Sequence, residues 1–197
     1  QAKHADLNAL QSQINPHFLY NTLDMLYWMA KCGEHDDLPR IITSLSGFYR
    51  KSLAQGRDMV TVRDEIEHVR YYIEIQNKRY NDAIDVKWDV DEMLLDRPIM
   101  KLLLQPIVEN AIMHGLMKSE RKGGTLSIAV RRGDGVMAIT IRDDGTGMSW
   151  QQIHELLSGA EVKRQQNAVH GYGVGNVQHR IRIFYGEAYG LHYESTP

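Results

Sequence analysis

The sequence predicts an α+β protein in two parts: a helical hairpin in front, and behind it a sandwich of one sheet under helices. Three observations carry that prediction. Glycine is distributed in blocks, with three of the 16 in residues 1–57, none in 58–114 and thirteen in 115–197. Helix interiors exclude glycine and tight turns recruit it. Apolar residues of the front half recur at steps of three and four, whereas short runs in the rear alternate. At 197 residues and 43% hydrophobic, the chain is long enough for one large domain or two small ones, each with a core.

Composition removes several functions. The net charge of 23 − 25 = −2 excludes a protein that holds nucleic acid through overall basicity. The pairs Arg121-Lys122 and Arg131-Arg132 are too short to form a basic stripe. One cysteine, Cys32, excludes an internal disulfide framework and a cysteine-built zinc site, and fits a reducing compartment. No run approaches the roughly 20 apolar residues of a membrane helix, and no signal-peptide pattern opens the chain.

In chain order, Leu7, Leu10, Ile14, Phe18, Asn21, Met25 and Trp28 predict one long helix over 3–31, with Pro16 inside it. Gly33 and the run Glu34 to Asp37 predict a stop and a connector. A second helix starts near Leu38-Pro39, carries Ile41, Ile42, Leu45, Phe48, Tyr49 and Leu53, and ends at Gly56. A hairpin of this kind, spanning 1–57, leaves apolar faces uncovered, and pairing with a second copy into a four-helix bundle completes it. Residues 58–61 read as a hinge. Thr61 to Asp64 has capping-box spacing, opening a third helix to about Tyr80. Residues 84–90 alternate as a half-buried strand. Pro98 reads as the start of a helix through Leu102, Leu103, Ile107, Val108, Ala111 and Ile112. Gly123-Gly124 leads into a strand over 125–131, and Gly133-Asp134-Gly135 turns it into a partner over 136–142. A short helix over 149–158, a polar loop over 160–170, a helix over 174–185 and a final strand over 190–194 complete the rear domain, 58–197.

Three rear clusters bear chemistry. Glu109-Asn110-Ala111-Ile112-Met113-His114-Gly115 puts carboxylate, amide and imidazole at the end of an apolar helix. It is either helix-end solvation or a set of donors suited to a hard cation with phosphate oxygens attached. Asp143-Asp144-Gly145-Thr146-Gly147-Met148 follows a strand. Its carboxylate can accept from an exocyclic amine such as adenine's while the glycines admit a flat ligand; the alternative is a hairpin or calcium loop. Gly171-Tyr172-Gly173-Val174-Gly175-Asn176-Val177 opens a helix, where bare backbone N–H groups cradle phosphate, although the spacing is that of neither a dinucleotide fingerprint nor a P-loop. Arg180 and Arg182 just beyond it face either phosphate or surface carboxylates.

Taken in order between residues 109 and 177, the three clusters resemble the N, G1 and G2 boxes of the Bergerat-type ATP-binding fold shared by sensor histidine kinases, gyrase-type ATPases and heat-shock chaperones. That resemblance implies ATP and Mg²⁺ as ligands. Asn110 would hold the metal, with Glu109 beside it. Asp143 would meet the adenine amine, and Gly145 and Gly147 would shape the adenine pocket. Gly171, Gly173 and Gly175 would contact phosphates under a lid at 158–170, with His114 a further phosphate contact or a solvated helix end. The front string Gln13-Ile14-Asn15-Pro16-His17-Phe18-Leu19-Tyr20-Asn21-Thr22-Leu23 resembles the phosphoacceptor signature of LytS/YesM-type sensor histidine kinases, and the whole chain can be laid on that family.

The resemblance implies autophosphorylation on His17, a homodimer, and transfer of the phosphoryl group to a response-regulator aspartate. Neutral imidazole is a nucleophile, and Asn21 lies one helical turn on, on the same face. The rival for His17 is a surface residue on a helix capped by Asn15 with Pro16 at its first position. Two departures stand out: Phe18 follows His17 where larger families place an acid, and Pro106 stands four residues before Asn110. Relatives place a sensor region and membrane helices ahead of this helix and a Gly-Thr strand after the ATP domain. The expectation is therefore the cytoplasmic portion of a bacterial inner-membrane protein. The rival functions are an ATP-gated dimerisation module without phosphotransfer, and an anti-sigma-type ATPase or serine kinase.

Overall fold

The computed structural model describes residues 15–53, 58–158 and 173–196. Helix α1 runs over Pro16–Cys32. Asn15 is extended and its Oδ1 accepts the Phe18 N–H at 3.1 Å, so the helix begins at Pro16. Of the long helix expected over 3–31, the described part starts only at Pro16, because proline drives the residue before it out of the α region and is itself suited to a first helical position. The expected stripe before residue 15 lies outside the described residues. Gly33, in the left-handed region at φ 83°, ends α1.

Helix α2 (Leu38–Ser52) returns antiparallel, and strand β1 (Met59–Thr61) leads into helix α3 (Val62–Arg79). The Thr61 capping box is complete: its hydroxyl accepts the Asp64 N–H at 3.1 Å, and Asp64 Oδ2 accepts the Thr61 N–H at 3.2 Å. Within the chain α3 packs along the hairpin. Gly47 of α2 faces the Tyr71 ring, where a Cβ would stand 2.6 Å from ring carbons. Phe18, Phe48 and Tyr72, one from each helix, meet with ring centroids 5.0–6.1 Å apart. Glu74 of α3 takes Arg40 and Ser44 of α2, and Lys78 pairs with Glu34 and Asp37 of the connector, each at 3.0 Å. The inner faces of the hairpin are therefore covered by the third helix.

The rear sheet orders β2 (Ile84–Val90), β4 (Gly124–Arg132) and β5 (Met137–Asp143), with β2 parallel to β4 and β4 antiparallel to β5. Ile84, Leu126, Ile128 and Val130 point inward with Val69, Ile73, Ile112 and Leu116, while Asp85, Lys87 and Arg142 stay on the open face. Helices α5 (Trp150–Ser158) and α6 (Val174–Tyr185) come after it in the chain.

Three local expectations give way. Residues 98–100 form strand β3 (Pro98–Met100) rather than a helix start, pairing antiparallel with β1 from Met59↔Met100 to Thr61↔Pro98. Proline suits the first residue of a strand as well as of a helix, and here a partner strand was at hand. The same pairing turns the expected hinge at 58–61 into strand. Residues 190–194 keep alternating burial but join no strand among the described residues; Gln178 Oε1 takes the Leu191 N–H at 2.5 Å instead.

Candidate functional site

Strand β5 delivers Asp143 to a corner built from backbone. Asp143 Oδ1 accepts the Gly145 N–H at 3.0 Å. A Cβ on Gly145 would overlap the Gly115 carbonyl carbon and stand 2.7 Å from that same Oδ1; one on Gly115 would run into the Asp143 carboxylate. Gly147 takes φ 68°, turning the chain away. Burial pushes the Asp143 carboxyl up, opposed by the Gly145 N–H and reinforced by the Asp144 charge. Its neighbour has the opposite setting: Asp144 accepts the Thr125 N–H at 2.8 Å and pairs with Arg121 at 2.6 Å, so it holds the loop. The Tyr193 hydroxyl is buried with no hydrogen-bond partner among the described residues, pushed up to about 12 by burial and then by Asp143. An unsatisfied buried hydroxyl beside a carboxylate and a glycine-lined wall fits a flat heterocycle carrying both donors and acceptors. Tyr193 and Gly115 were not assigned from sequence. The alternation over 191–195 was the available signal for Tyr193, and Gly115 stood at the end of the first cluster.

Asn110 ends helix α4 (Gln105–Asn110), and Ala111–Leu116 continues as a π-helix, a form frequent at functional sites. The wider turn brings the Gly115 carbonyl to the Thr146 N–H at 3.4 Å, joining this helix end to the Asp143 loop. The Asn110 side chain has no hydrogen-bond partner among the described residues, so its amide oxygen is open to a ligand. Burial pushes the Glu109 carboxyl up, and burial first and the Glu109 charge second raise the Tyr72 hydroxyl. Among the described residues no cluster of three or more His, Cys, Asp or Glu could cage a metal. An amide and one carboxylate fit a cation held mainly by substrate phosphates, the usual situation of Mg²⁺. His114 is exposed. Pro106 is buried in the first turn of α4, which explains a proline at that position.

Gly173 is the N-cap of α6, extended and with open space where a Cβ would sit, and Gly175 lies in the first turn. Gly171 and the lid expected over 158–170, beyond Ser158, lie outside the described residues. Arg182 pairs with Glu187 at 3.4 Å; Arg180 turns inward to backbone carbonyls.

On α1, His17 is exposed in the first turn, and Asn21 Nδ2 lies 3.0 Å from His17 Nε2. An amide nitrogen only donates, so Nε2 supplies the lone pair and the ring proton stands on Nδ1. The Asn15 cap with Pro16 at the first helical position is realised together with this arrangement, so capping and an exposed His17 on the Asn21 face are not exclusive. Phe18 is buried against Phe48 and Tyr72, which explains why no acid comes after His17: that position faces the core.

Residues 5–84 match the family model described as histidine kinase, and residues 95–197 the one described as histidine kinase-, DNA gyrase B-, and HSP90-like ATPase. The chain is 36% identical over 193 residues to sensor histidine kinase YesM of Bacillus subtilis (strain 168), covering 98% of this chain and 31% of that protein. Sensor protein LytS of Oceanobacillus iheyensis is 33% identical over 195 residues, covering 98% and 33%. Sensor histidine kinase YpdA of Escherichia coli (strain K12) is 34% identical over 194 residues, covering 97% and 32%. The chain therefore spans about a third of the length of the curated relatives it matches. Among solved structures, the histidine kinase domain from the Erythrobacter litoralis EL346 blue-light activated histidine kinase aligns at a TM-score of 0.42 and 19% identity, over 82% of this chain and 83% of that one.

Proposed function

The chain belongs to the histidine kinases, and from that premise we propose that it phosphorylates itself on His17 with ATP and passes the phosphoryl group to an aspartate of a response-regulator partner. The observation that carries this reading is the exposed His17, its Nε2 lone pair held by Asn21, in one chain with the Asp143 pocket. Nε2 forms a bond to the γ-phosphorus as the bond to the β–γ bridging oxygen breaks; ADP leaves with that electron pair, and the Nδ1 proton goes to solvent. Asn21 orients the ring before attack and must release Nε2 during it.

In this reading Asp143 accepts from the adenine amine while Gly145 and Gly147 let the ring approach. Gly171, Gly173 and Gly175 offer N–H groups to phosphate at the α6 N-terminus, with the exposed His114 as a further phosphate contact. Asn110, with Glu109 adjacent, holds Mg²⁺, which when bound neutralises phosphate charge and orients the γ-group. Residues 1–57 serve as the phosphoacceptor and dimerisation part and 58–197 as the catalytic part. The homodimer is supported by a solvent-facing side of α1 carrying Tyr20, Leu23, Tyr27 and Trp28, beside Ile42 of α2. No helix among the described residues is long and apolar enough to cross a membrane; in this proposal the chain is the cytoplasmic part of a membrane-anchored sensor.

Radiolabelled ATP tests the reading. Acid-labile, base-stable label on the chain, absent from His17→Ala with ATP binding retained, is the expected result. Label that survives His17→Ala overturns it.

A further inference from the structure

Residues 101–104 join β3 to α4 without helix or strand of their own, yet five of their eight backbone polar groups are held by two charged side chains. From α3, the buried Glu65 takes three consecutive N–H groups: Leu102 on Oε1 at 2.7 Å, and Leu103 and Leu104 on Oε2 at 2.9 and 3.1 Å. From α6, Arg180 donates Nη2 to the Lys101 carbonyl at 2.6 Å and Nη1 to the Leu102 carbonyl at 3.2 Å. Leu102 thus has its N–H on a carboxylate and its C=O on a guanidinium. It is also where the backbone adopts φ 55°, a left-handed conformation that a leucine does not take without being held. The Lys101 ammonium reaches the other way, donating to the Ser52 carbonyl at the end of α2 at 2.8 Å.

The clamped segment leads directly into α4, six residues long and with no side-chain cap at its start. The clamp on residues 101–104 fixes its start, while its far end runs on into the π-helix, whose Gly115 carbonyl takes the Thr146 N–H at 3.4 Å; Asn110 lies at the join between the two. Arg180 meanwhile stands about two turns along α6 from Gly173, where the phosphate-facing N-terminus begins.

We infer that Arg180 and Glu65 are positioning residues for Asn110: together they fix the segment from which α4 springs, and Arg180 ties that segment to the helix behind the glycine loop. Phosphate engagement at α6 and presentation of the Asn110 amide to the cation are then one mechanical unit. This rests on the reading of Asn110 as the Mg²⁺ residue. Losing such a support shows as weaker metal affinity, of the order of tenfold, while the adenine corner, built from β5 and Gly115, is spared.

The test is ATP binding by calorimetry across a Mg²⁺ titration, with adenosine binding in Mg²⁺-free buffer alongside, for the unmodified chain, Arg180→Met, Arg180→Lys and Asn110→Ala. Arg180→Met is expected to raise the half-effective Mg²⁺ concentration about tenfold, leave adenosine binding unchanged, and be largely rescued in Arg180→Lys. Unchanged Mg²⁺ dependence in Arg180→Met, with Asn110→Ala shifted, overturns the clamp alone. No shift in Asn110→Ala overturns the Asn110 reading and the inference with it. Equal loss of adenosine and Mg-ATP binding in Arg180→Met also overturns it, since that is general disruption. If Arg180→Met does not fold, Glu65→Gln, which keeps the shape and one acceptor oxygen, carries the same expectations in smaller measure.

Discussion

At the Asp143 corner backbone meets backbone so closely that a methyl group on Gly145 has no room. On the His17 side of α1, Tyr20, Tyr27 and Trp28 stand 66%, 60% and 56% exposed. Among the described residues, the first region is walled by β5, the π-helix and the tail at Tyr193. The second presents His17 and a row of aromatics to solvent. A pocket that must recognise a small, rigid ligand gains from being preformed. In the proposed reaction the acceptor meets a nucleotide domain, a second copy and a regulator in turn, and so has to stay open.

The sharpest way to break that comparison is to change one region and read the other. In Tyr27→Glu/Trp28→Glu, self-association measured by sedimentation equilibrium is expected to weaken about a hundredfold or more, because large exposed aromatics dominate such contacts. Nucleotide affinity should be unaffected. A fully associated variant would remove α1 as the pairing face. In the converse case, Gly145→Ala must displace the Gly115 backbone. Overpacking of about 1–3 kcal/mol predicts ATP affinity lower by roughly 5- to 150-fold, with self-association unchanged. ATP binding at the unmodified level would show that the corner is looser than its geometry.

The regions also differ in their response to acid. Beneath α1 and α2, His68 is buried against Phe48 with Nε2 on Ser52 at 2.8 Å and Nδ1 unpartnered among the described residues, and burial, followed by Lys101 and Lys51, holds it down to about 3. Unfolded, an imidazole titrates near 6.5. Between those values the unfolded chain binds the extra proton, so His68's contribution is intact above about pH 6.5 and is lost as pH falls, at up to about 1.4 kcal/mol per pH unit. On the nucleotide side, burial raises Glu65, Glu109 and Asp143, which gives the opposite slope: stability from these groups is greatest at low pH and falls as pH rises past the ordinary carboxyl range. Above the ordinary carboxyl values, about 4, and below the free imidazole value, about 6.5, the two slopes oppose each other wherever the raised carboxyls titrate. The difference between the unmodified chain and His68→Phe in urea denaturation isolates the first. His68→Phe is expected to be the less acid-sensitive protein; an unchanged difference across that window would show His68 is not the group.

The glycine corner was legible in the sequence because its residues are adjacent there: Asp143, Gly145 and Gly147 announce a tight turn after a strand, and a tight turn is a local property. His17 and Asn21 were legible for the same reason, one helical turn apart. Tyr193 was not, since its significance lies in reaching Asp143 across fifty residues of chain. Glu65 and Arg180 were hidden likewise, for what they bind is the backbone of another segment, which leaves no mark on side-chain spacing. Pro98 misled because a proline that can open a helix can also open a strand, and only the partner at 59–61 decides between them. The covering of the hairpin by α3 was also a tertiary fact. The periodicity gave the buried face of each helix but not its neighbour.

The smallest expected effect lies at the junction between the two regions. Thr61 caps α3, and Asp64, which completes the box, also takes Lys51 of α2 at 2.9 Å; Lys51 first and Thr61 second hold its carboxyl down to about 2. Thr61→Ala removes the hydroxyl that accepts the Asp64 N–H and should cost about 1 kcal/mol in urea denaturation, while Thr61→Ser should cost much less. The Asp64 carboxyl should rise yet stay below the ordinary range, because the Lys51 contact remains. ATP affinity is expected to be unchanged, since the cap touches neither the Asp143 corner nor the clamp on residues 101–104. A parallel fall in ATP affinity would mean that the start of α3 transmits to the nucleotide pocket. The two regions would then have to be treated as one cooperative unit instead of a finished pocket beside an open face.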